Sequence, residues 1–441
     1  MLKKKFNKLI GLKKDDFDQF VLSGQIKKQN ARLIPTLKTG DEMALTSIFL
    51  SVLRLVKEYR YNFFKEIKLS RSGKAYYYTE VCFPEISKCR YDGLIIIVVS
   101  GVIKDAVFLE LKNKNNSIDQ IQIVSYIKDL KNIGVKSLIT VSNQFVSDSS
   151  HSPVNVKVPK NFSLHHFSWT YLLTLGQLLL FKNDNIIEDE DQIEIMREAL
   201  YYFESKVSGV SGYSRMKPGW KQLSDDIRAQ KPLKLSDIYI EDAVLSWHEK
   251  EKDLALLMSR KLGVLVKSTP KKKDCLKNDI KKLVKENYLL GTLSIKNSVS
   301  DIKIKLEFER RSVLMSVKIL PPMDKGTVAK ITWIAKQLEN CKKKSEIVFN
   351  KLSDYIWIEA DIKYARNNLK VKLNELDKLK EEAKDSEIQA FHVVLIDGLG
   401  VGFASTGKFI SLIEEMVLNY YEGIVQHMTN WSRPAPKLEL H

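Results

Sequence analysis

Hydrophobic and polar residues follow regular patterns over the first third of the chain. Residues 41–67 carry apolar side chains at helical spacing, with no Gly or Pro inside, which predicts one long helix. The stretches 75–83, 91–100 and 105–112 are rich in aromatic and β-branched residues and predict three strands. The pattern therefore predicts a helix followed by three strands, of which the second is apolar enough to be central in a sheet.

A second helix and a fourth strand are predicted next. Ser117 and Gln120 have the spacing of a capping box, and Gly134 is expected to end the helix. The apolar stripe of this helix is predicted to comprise Ile118, Ile121, Val124, Ile127 and Leu130. Residues 135–142 predict a buried strand, so the full order is helix, three strands, helix, strand.

The second half of the chain predicts another α/β arrangement. Residues 301–309 alternate between polar and apolar, with Ile302, Ile304, Leu306 and Phe308 facing inward, and should pair with 313–320. The elements expected after this hairpin are a helix near 326–340, a strand at 355–361, a charged helix near 367–385 and a strand at 391–397.

Composition adds a strong positive charge to this picture. The 441 residues are 44% hydrophobic and carry a formal charge of +17, with a pI of about 9.3. This length allows two or three cores, and the charge favours polyanions such as nucleic acid, or an anionic membrane, as partners. The most apolar windows, 94–103 and 171–181, fall short of the roughly 20 residues of a membrane helix, so no span is predicted.

Neither the cysteines nor the histidines form a zinc-type pattern. The four cysteines lack C-x-x-C spacing and the density of a disulfide scaffold, which favours a cytoplasmic protein. They are Cys82, Cys89, Cys275 and Cys341. His165 and His166 are adjacent, so their side chains should diverge, and a structural or capping role is favoured for them over metal binding.

A lysine-rich stretch is the candidate for contact with phosphates. Residues 270–288 carry lysines at partly helical spacing, and such a run usually forms a solvated helix face. In a chain this basic, it is also the best candidate for binding a nucleic-acid backbone. The candidate residues are Lys271, Lys272, Lys273, Lys277, Lys281 and Lys282.

An acid and a lysine lie two residues apart at the end of the third predicted strand. Side chains at i and i+2 of a strand point to the same face, so Glu110 and Lys112 should project together. Such a pair is either a solvated ion pair or half of a metal-dependent active site. Asp92, near the start of the preceding predicted strand, is the second candidate acid.

These residues, in this element order, resemble the PD-(D/E)XK nuclease superfamily, which includes restriction endonucleases and RecB-like nucleases. The family motif places an Asp on the second strand and acid-x-Lys on the third, where this chain has Asp92 and Glu110-Leu111-Lys112. RecB-like members add Q-x-x-x-Y on the next helix, which Gln122 and Tyr126 match. The proline of the family motif is absent before Asp92. The resemblance covers residues 40–145 and implies a restriction-endonuclease-like αβββαβ core.

The resemblance implies a metal site for phosphodiester hydrolysis. Asp92, Glu110 and the Leu111 carbonyl would bind Mg²⁺ or Mn²⁺, and Glu42 is the best match to the further acid that many members carry on the first helix. Lys112 would orient or deprotonate the attacking water, and Gln122 and Tyr126 would position the metal ligands or the phosphate. For Glu42, the alternative is a favourable carboxylate at a helix start.

The expected protein is a Mg²⁺-dependent deoxyribonuclease with a second α/β domain. Glycine and proline near residue 210 suggest a linker at 208–220. Before it we expect a basic N-terminal segment at 1–39 and a nuclease domain with a helical extension at 40–207, and after it a basic C-terminal α/β domain at 221–441. That last domain would bind substrate or a partner protein, or form a homodimer. Restriction, phage defence, repair and mobile-element roles all use this fold. The alternatives are an inactive nuclease fold that binds DNA or protein, and a basic scaffold unrelated to nucleic acid.

Overall fold

The protein is a mixed α/β molecule with two sheets. The computed structural model describes residues 6–34, 40–87, 89–146, 149–181, 187–270, 275–384 and 386–432. The chain divides into two compact units, of which the first comprises Met1–Tyr213 with Ser259–Gly263 and the second comprises Ser214–Met258 with Val264–His441. The α/β class expected from the sequence is confirmed, and the division after Tyr213 falls inside the segment 208–220.

The first unit contains the predicted order of helix, strands, helix and strand. Its elements are α1 (Lys14–Leu22), β1 (Lys27–Asn30), α2 (Glu42–Leu55), α3 (Lys57–Glu66), β2 (Lys74–Cys82), β3 (Arg90–Val99), β4 (Val102–Leu111), α4 (Gln120–Asn132), β5 (Ser137–Ser142), β6 (Ser163–Ser168), α5 (Trp169–Leu180) and α6 (Glu190–Glu204). The three strands before α4 and the one after it are confirmed; their ends agree with the prediction to within two residues, except that β4 begins three residues before the predicted start.

Strands β1 to β6 form one sheet in chain order. Pairing is antiparallel from β1 to β4 and parallel from β4 to β6, and α4 is the crossover that allows β5 to run parallel to β4. Because β3 and β4 are antiparallel, the first residues of β3 and the last residues of β4 lie next to each other, at the same end of the two strands. The candidate residues at 92 and 110–112 are therefore brought together by topology.

Both faces of this sheet are buried by helices. Helices α2, α3, α5 and α6 cover the face that carries Ile95 and Ile97, whereas α1 and α4 cover the face that carries Leu94 and Ile96. This explains why β3 is apolar at consecutive positions rather than at alternate ones. Full burial of each such side chain stabilises the fold by about 1.5–3 kcal/mol.

The long helix predicted at 41–67 is wrong in one respect, because the chain breaks it at Val56. This residue has extended backbone angles, φ −103° and ψ 104°, between α2 and α3. Its N–H still donates to the carbonyl of Val52, which completes the last turn of α2. The break redirects the chain so that Tyr59, Phe63 and Phe64 of α3 are buried in the same core as α2.

The predicted start and apolar stripe of α4 are also wrong. The helix is capped by Asp119, whose Oδ1 accepts a hydrogen bond from Gln122 N at 2.7 Å, and not by Ser117. Ile121 and Val124 are 81% and 51% exposed. A strict spacing of three residues drifts around a helix with 3.6 residues per turn, so it cannot stay on one face. The buried stripe is Ile123, Tyr126, Ile127 and Leu130.

The second unit is built on an antiparallel sheet. Its elements are α7 (Pro218–Arg228), α8 (Ile238–Leu262, whose residues from Ser259 cluster with the first unit), β7 (Lys267–Ser268), α9 (Cys275–Glu286), β8 (Tyr288–Ser294), β9 (Ile302–Glu307), β10 (Ser312–Ile319), α10 (Thr327–Lys344), α11 (Glu346–Leu352), β11 (Ile356–Ile362), β12 (Leu369–Lys372), α12 (Leu376–Glu382), β13 (Ile388–Gly398), α13 (Val401–Ala404) and α14 (Lys408–Gly423).

The strand order of the second sheet is β12-β11-β13-β10-β9-β8-β7. The predicted hairpin of β9 and β10 is confirmed, and its inward residues are buried. The charged helix predicted at 367–385 is wrong, because Leu369 and Val371 pair with Ala360 and Ile358 as an edge strand, and the α-helix described in this range is the short α12. Among the helices that the structure describes, none has the length and apolar character needed to cross a membrane.

Candidate active site

Asp92, Glu110 and Lys112 lie together where β3 begins and β4 ends in the first sheet. Gly93 on β3 pairs with Leu109 on β4, so Asp92, which precedes Gly93, and Glu110, which follows Leu109, are neighbours across the two strands. Asp92 Oδ2 accepts a hydrogen bond from the Leu111 backbone N–H at 2.8 Å. Lys112 Nζ lies 2.7 Å from Glu110 Oε1. The three residues therefore form a single cluster, although they come from two strands.

Negative charge in this cluster is only partly compensated. Glu110 is 1% exposed, and its Oε2 has no hydrogen-bond partner among the described residues. Burial, together with the charge of Glu110, raises the pKa of Asp92 well above its ordinary value. Two acids held this close in a buried place favour either a shared proton or a bound cation.

Lys112 is the cation of the cluster, and its backbone is fixed on both sides. Burial alone would lower its pKa, but the hydrogen bond and charge of Glu110, with the charges of Asp92 and Glu42, outweigh burial and raise the pKa. The Lys112 N–H donates to Val141 O at 2.8 Å, and its carbonyl accepts from the Trp169 indole at 2.9 Å. The lysine side chain is 19% exposed, so the cluster is open to solvent on that side.

Glu42 lies beside Lys112 and has partners of its own. It is the first residue of α2, as the predicted helix start required, and its Oε2 is 3.5 Å from Lys112 Nζ. Its Oε1 accepts hydrogen bonds from Asn113 N at 3.2 Å and from Asn116 Nδ2 at 2.7 Å. Glu42 therefore binds the lysine and the loop after β4 in this structure.

The loop that follows Lys112 is held by residues that sequence reasoning did not single out. Asn113 is buried, and its Nδ2 donates to the carbonyls of Gly40 and Ser208, each at 2.9 Å. Gly40 has a φ of +76°, and a Cβ there would come within 2.1 Å of Val207 O. A glycine is therefore required at the residue that leads into α2 and Glu42.

Gln122 and Tyr126 face the cluster from α4. Gln122 Nε2 donates to Tyr126 Oη at 2.8 Å, and Tyr126 Oη donates to the Arg90 carbonyl at 2.8 Å. Burial raises the pKa of the Tyr126 phenol, and the charge of Glu110 raises it further. The Q-x-x-x-Y pair is therefore near the carboxylates, and the tyrosine also fixes the backbone at the start of β3.

Glu80 is a further acid beside the cluster, and the sequence analysis missed it. Thr79 pairs with Gly93 and Val81 with Tyr91, so Glu80 lies opposite Asp92 in the sheet. Its φ of 53° is uncommon for a residue with a side chain. Burial raises the pKa of Glu80 against the opposing charge of Arg90, and Glu110 adds to the rise. The aromatic context "YYYTEV" identified the strand but gave no sign of this role.

The donor set fits a hard divalent cation that keeps water ligands. Among the described residues, no three His, Cys, Asp or Glu side chains are arranged to hold a metal ion. The cluster offers the carboxylates of Asp92 and Glu110, one of them with the partnerless Oε2. Mg²⁺ is commonly bound by one or two carboxylates, with water and substrate phosphate as the remaining ligands. The residues present match that mode and not a closed cage.

His165 and His166 do not join the cluster. His166 is 1% exposed, and its ring contacts Thr140 Oγ1 and Gln144 O, each at 2.9 Å. Burial lowers its pKa to about 4, so the ring is neutral near pH 7. A buried neutral ring between two oxygen partners is structural, as the sequence indicated.

The structure describes three of the six candidate phosphate-binding lysines. Lys271, Lys272 and Lys273 lie outside the described residues. Lys277 and Lys281 are exposed on α9, and no carboxylate among the described residues forms a salt bridge with either. Lys282 Nζ lies 4.9 Å from the ring centre of Tyr288.

No family model, no curated protein and no solved structure matches this chain. Function is therefore inferred from the chemistry of the cluster itself.

Proposed function

We propose that the protein is a metal-dependent nuclease that hydrolyses DNA phosphodiester bonds, with a restriction-endonuclease-like core in its first unit. The observation that carries this proposal is the buried cluster of Asp92 and Glu110 beside Lys112, in which Glu110 Oε2 has no hydrogen-bond partner among the described residues. The ion pair of Lys112 and Glu110 does not need Asp92 beside it, whereas two carboxylates with an open side match the way in which proteins bind Mg²⁺.

Asp92 and Glu110, with the Leu111 carbonyl, would hold Mg²⁺ or Mn²⁺, and Glu42 is the remaining candidate ligand. When bound, the cation would supply positive charge for a phosphate oxygen and lower the pKa of a bound water. The ligands that complete its coordination would be water and the substrate phosphate.

Lys112 would act on the phosphate and the attacking water. Its ammonium donates to Glu110 and remains partly exposed, so it can also reach a ligand at the open side of the cluster. A fixed cation there stabilises the charge that develops on the phosphate in the transition state. Trp169 and Val141 keep the lysine backbone in place, and Tyr126 with Gln122 fixes the start of β3.

The second unit would bind the DNA backbone, a partner protein or a second copy of the chain. The exposed Lys277 and Lys281 of α9, together with the net charge of +17, support backbone binding. Restriction or phage defence is the preferred setting within the cytoplasm, and repair or mobile-element functions are compatible with the same chemistry.

Cleavage assays on linear, circular and single-stranded DNA test this proposal. The wild type should cut with Mg²⁺ or Mn²⁺ and not with chelator, and Lys112→Ala should abolish cutting. Lys104→Ala is the matched control, because Lys104 is an exposed lysine on the same strand β4. A calorimetric titration with Mn²⁺ gives a second readout, in which Glu110→Gln should remove the binding seen in the wild type.

Two results would overturn the proposal. One is cleavage that survives in Lys112→Ala, which would place the activity elsewhere or in a contaminant. The other is a folded wild type that neither binds Mn²⁺ nor cuts any of the substrates.

The alternative is an inactive nuclease fold that binds DNA or protein, and the exposed Lys277 and Lys281 of α9 favour DNA. It predicts binding whose affinity falls steeply with salt concentration, without cleavage. Loss of that binding in Lys277→Gln/Lys281→Gln, with no metal-dependent cutting by the wild type, would make this alternative the better description.

A further inference from the structure

A cavity lies in the first unit, at the opposite end of the strands that carry the cluster. Its volume is about 400 Å³. It is formed between the end of α2, helix α3, the segment before β2, the first residues of β2 and Ile97 near the end of β3. From Asp92 to Ile97, a lining residue on β3, the strand advances about 17 Å at 3.3 Å per residue. This basic pocket is therefore separate from the candidate active site.

The pocket is lined by cations without matching acids. Arg54, Arg60, Arg71 and Lys74 all contribute to its wall. Among the residues that the structure describes, no carboxylate forms a salt bridge with any of the four, and no acid lines the pocket. Side chains of one charge around a single cavity attract an anion of the opposite charge.

Arg60 is fixed in position before any ligand binds. Its Nη1 donates to the Arg54 carbonyl at 3.0 Å and to the Leu53 carbonyl at 3.4 Å, which are exposed by the break between α2 and α3. A hydrogen bond between Arg60 and the Tyr77 side chain also holds the guanidinium, so only its remaining N–H groups are available for a ligand. Because the side chain is already ordered, less entropy is lost when an anion binds.

Aromatic side chains supply the second half of the pocket. Tyr61 is 38% exposed, while Phe64 and Tyr77 are buried in the wall. The Arg60 guanidinium lies over the Tyr61 ring, 5.5 Å from the ring centre, so the pocket presents charge and ring together. A ligand that fits both would carry an anionic group and a flat ring, and 400 Å³ lies within the usual range for small-molecule sites.

We propose that this pocket binds a nucleotide through its phosphate monoester, with the arginines on the phosphate and the base against Tyr61. The nucleotide is either free in solution or the 5′-phosphorylated end of a nucleic-acid strand. Arginine suits this ligand because its planar fork pairs with phosphate through two hydrogen bonds. The inference does not depend on the proposed nuclease activity, because the pocket uses none of the cluster residues.

Direct binding in the presence of chelator tests the proposal without cleavage. The probes are nucleoside monophosphates, the matching nucleosides, inorganic phosphate, and single-stranded oligonucleotides with a 5′-phosphate or a 5′-hydroxyl. Monophosphates should bind, and nucleosides should bind much more weakly. Arg54→Gln/Arg71→Gln should weaken binding about 100-fold through the loss of two charged donors. A preference for the 5′-phosphorylated oligonucleotide over its hydroxyl form would identify the strand end as the source.

Lys128→Gln/Lys131→Gln is the matched control, because it removes two exposed positive charges from α4, on the other face of the sheet. Tyr61→Leu should weaken monophosphate binding more than phosphate binding, and it does not touch the arginines. The proposal is overturned if no phosphate-bearing probe binds, if nucleosides bind as well as monophosphates, or if the control weakens binding as much as the pocket variant. Loss of nuclease activity in Lys112→Ala with intact nucleotide binding would keep the two proposals distinct.

Discussion

Two lysines in this protein each contact two carboxylates, and the two clusters differ in balance. In the second unit, Lys250 is fully buried, and its Nζ lies 2.7 Å from Asp253 and 2.5 Å from Glu414. In the first unit, Lys112 lies 2.7 Å from Glu110 and 3.5 Å from Glu42, and Asp92 adds a third acid. Lys112 is also partly exposed, whereas Lys250 is not.

This comparison separates an ion network that holds the fold from one that can bind a ligand. Lys250 links α8 to α14, and its ammonium is enclosed by its partners. The Lys112 cluster has more acid than base, a carboxylate oxygen without a hydrogen-bond partner in the described structure, and an open side. Uncompensated buried charge is costly to keep, so it points to a ligand that completes the site.

The largest expected effect is on activity, through Glu110→Gln. This change keeps the shape of the side chain but removes a charge, and we expect cleavage to fall about 1,000-fold, as for the loss of one essential electrostatic group. Unfolding by denaturant should show little loss of stability, because the lost ion pair with Lys112 is offset by the removal of a charge buried beside Asp92. A variant that loses activity and stability together would assign Glu110 a structural role, like that of Lys250.

Lys250→Met should give the opposite result. It leaves Asp253 and Glu414 without their cation, and we expect the free energy of unfolding to fall by roughly 3–5 kcal/mol. Denaturant titration measures this, and Lys261→Met, at an exposed residue of the same helix, is the control. DNA cleavage per folded molecule should be unchanged. Little change in stability would remove the contrast between the two clusters.

His166 sharpens the comparison as a buried group that avoids charge altogether. Its pKa in the folded protein is lowered to about 4 from an ordinary 6.5, so the unfolded chain binds the extra proton between these values. The contribution of His166 to the free energy of unfolding is fully present above pH 6.5 and falls by about 3 kcal/mol as the pH decreases toward 4. Denaturant unfolding of the wild type and His166→Gln across this range should show a flatter profile in the variant. Identical profiles would contradict the assignment.

The smallest effect is expected from Trp169→Phe. The change keeps a ring in the core but removes the hydrogen bond to the Lys112 carbonyl, which is worth about 1 kcal/mol. We expect a similar loss of stability and about a tenfold loss of cleavage, because Lys112 becomes less well positioned. Tyr171→Phe, on the same helix, is the control, because it also removes one side-chain hydrogen bond, to Glu66, without touching the Lys112 carbonyl. Activity equal to the wild type would show that the lysine does not depend on this bond.

Much of the first unit follows from the chain alone, because its strands are buried on both faces and its periodicity is strong. Strand β3, strand β4 and the acid-x-lysine at 110–112 were readable from runs of apolar, aromatic and β-branched residues. The buried stripe of α4 could not be read in the same way. Apolar residues at a spacing of three do not stay on one face of a helix, and only contact with the sheet buries Ile123 rather than Ile121.

What the sequence determined was therefore the elements and the chemistry of the residues on them. The tertiary structure alone decided which of those residues meet. Glu80 lies opposite Asp92 through strand pairing, Trp169 reaches a carbonyl 57 residues earlier, and Arg60 reaches the end of α2 because the chain bends at Val56. Such contacts depend on register and on the direction of a bend, which local patterns of hydrophobic and polar residues do not encode.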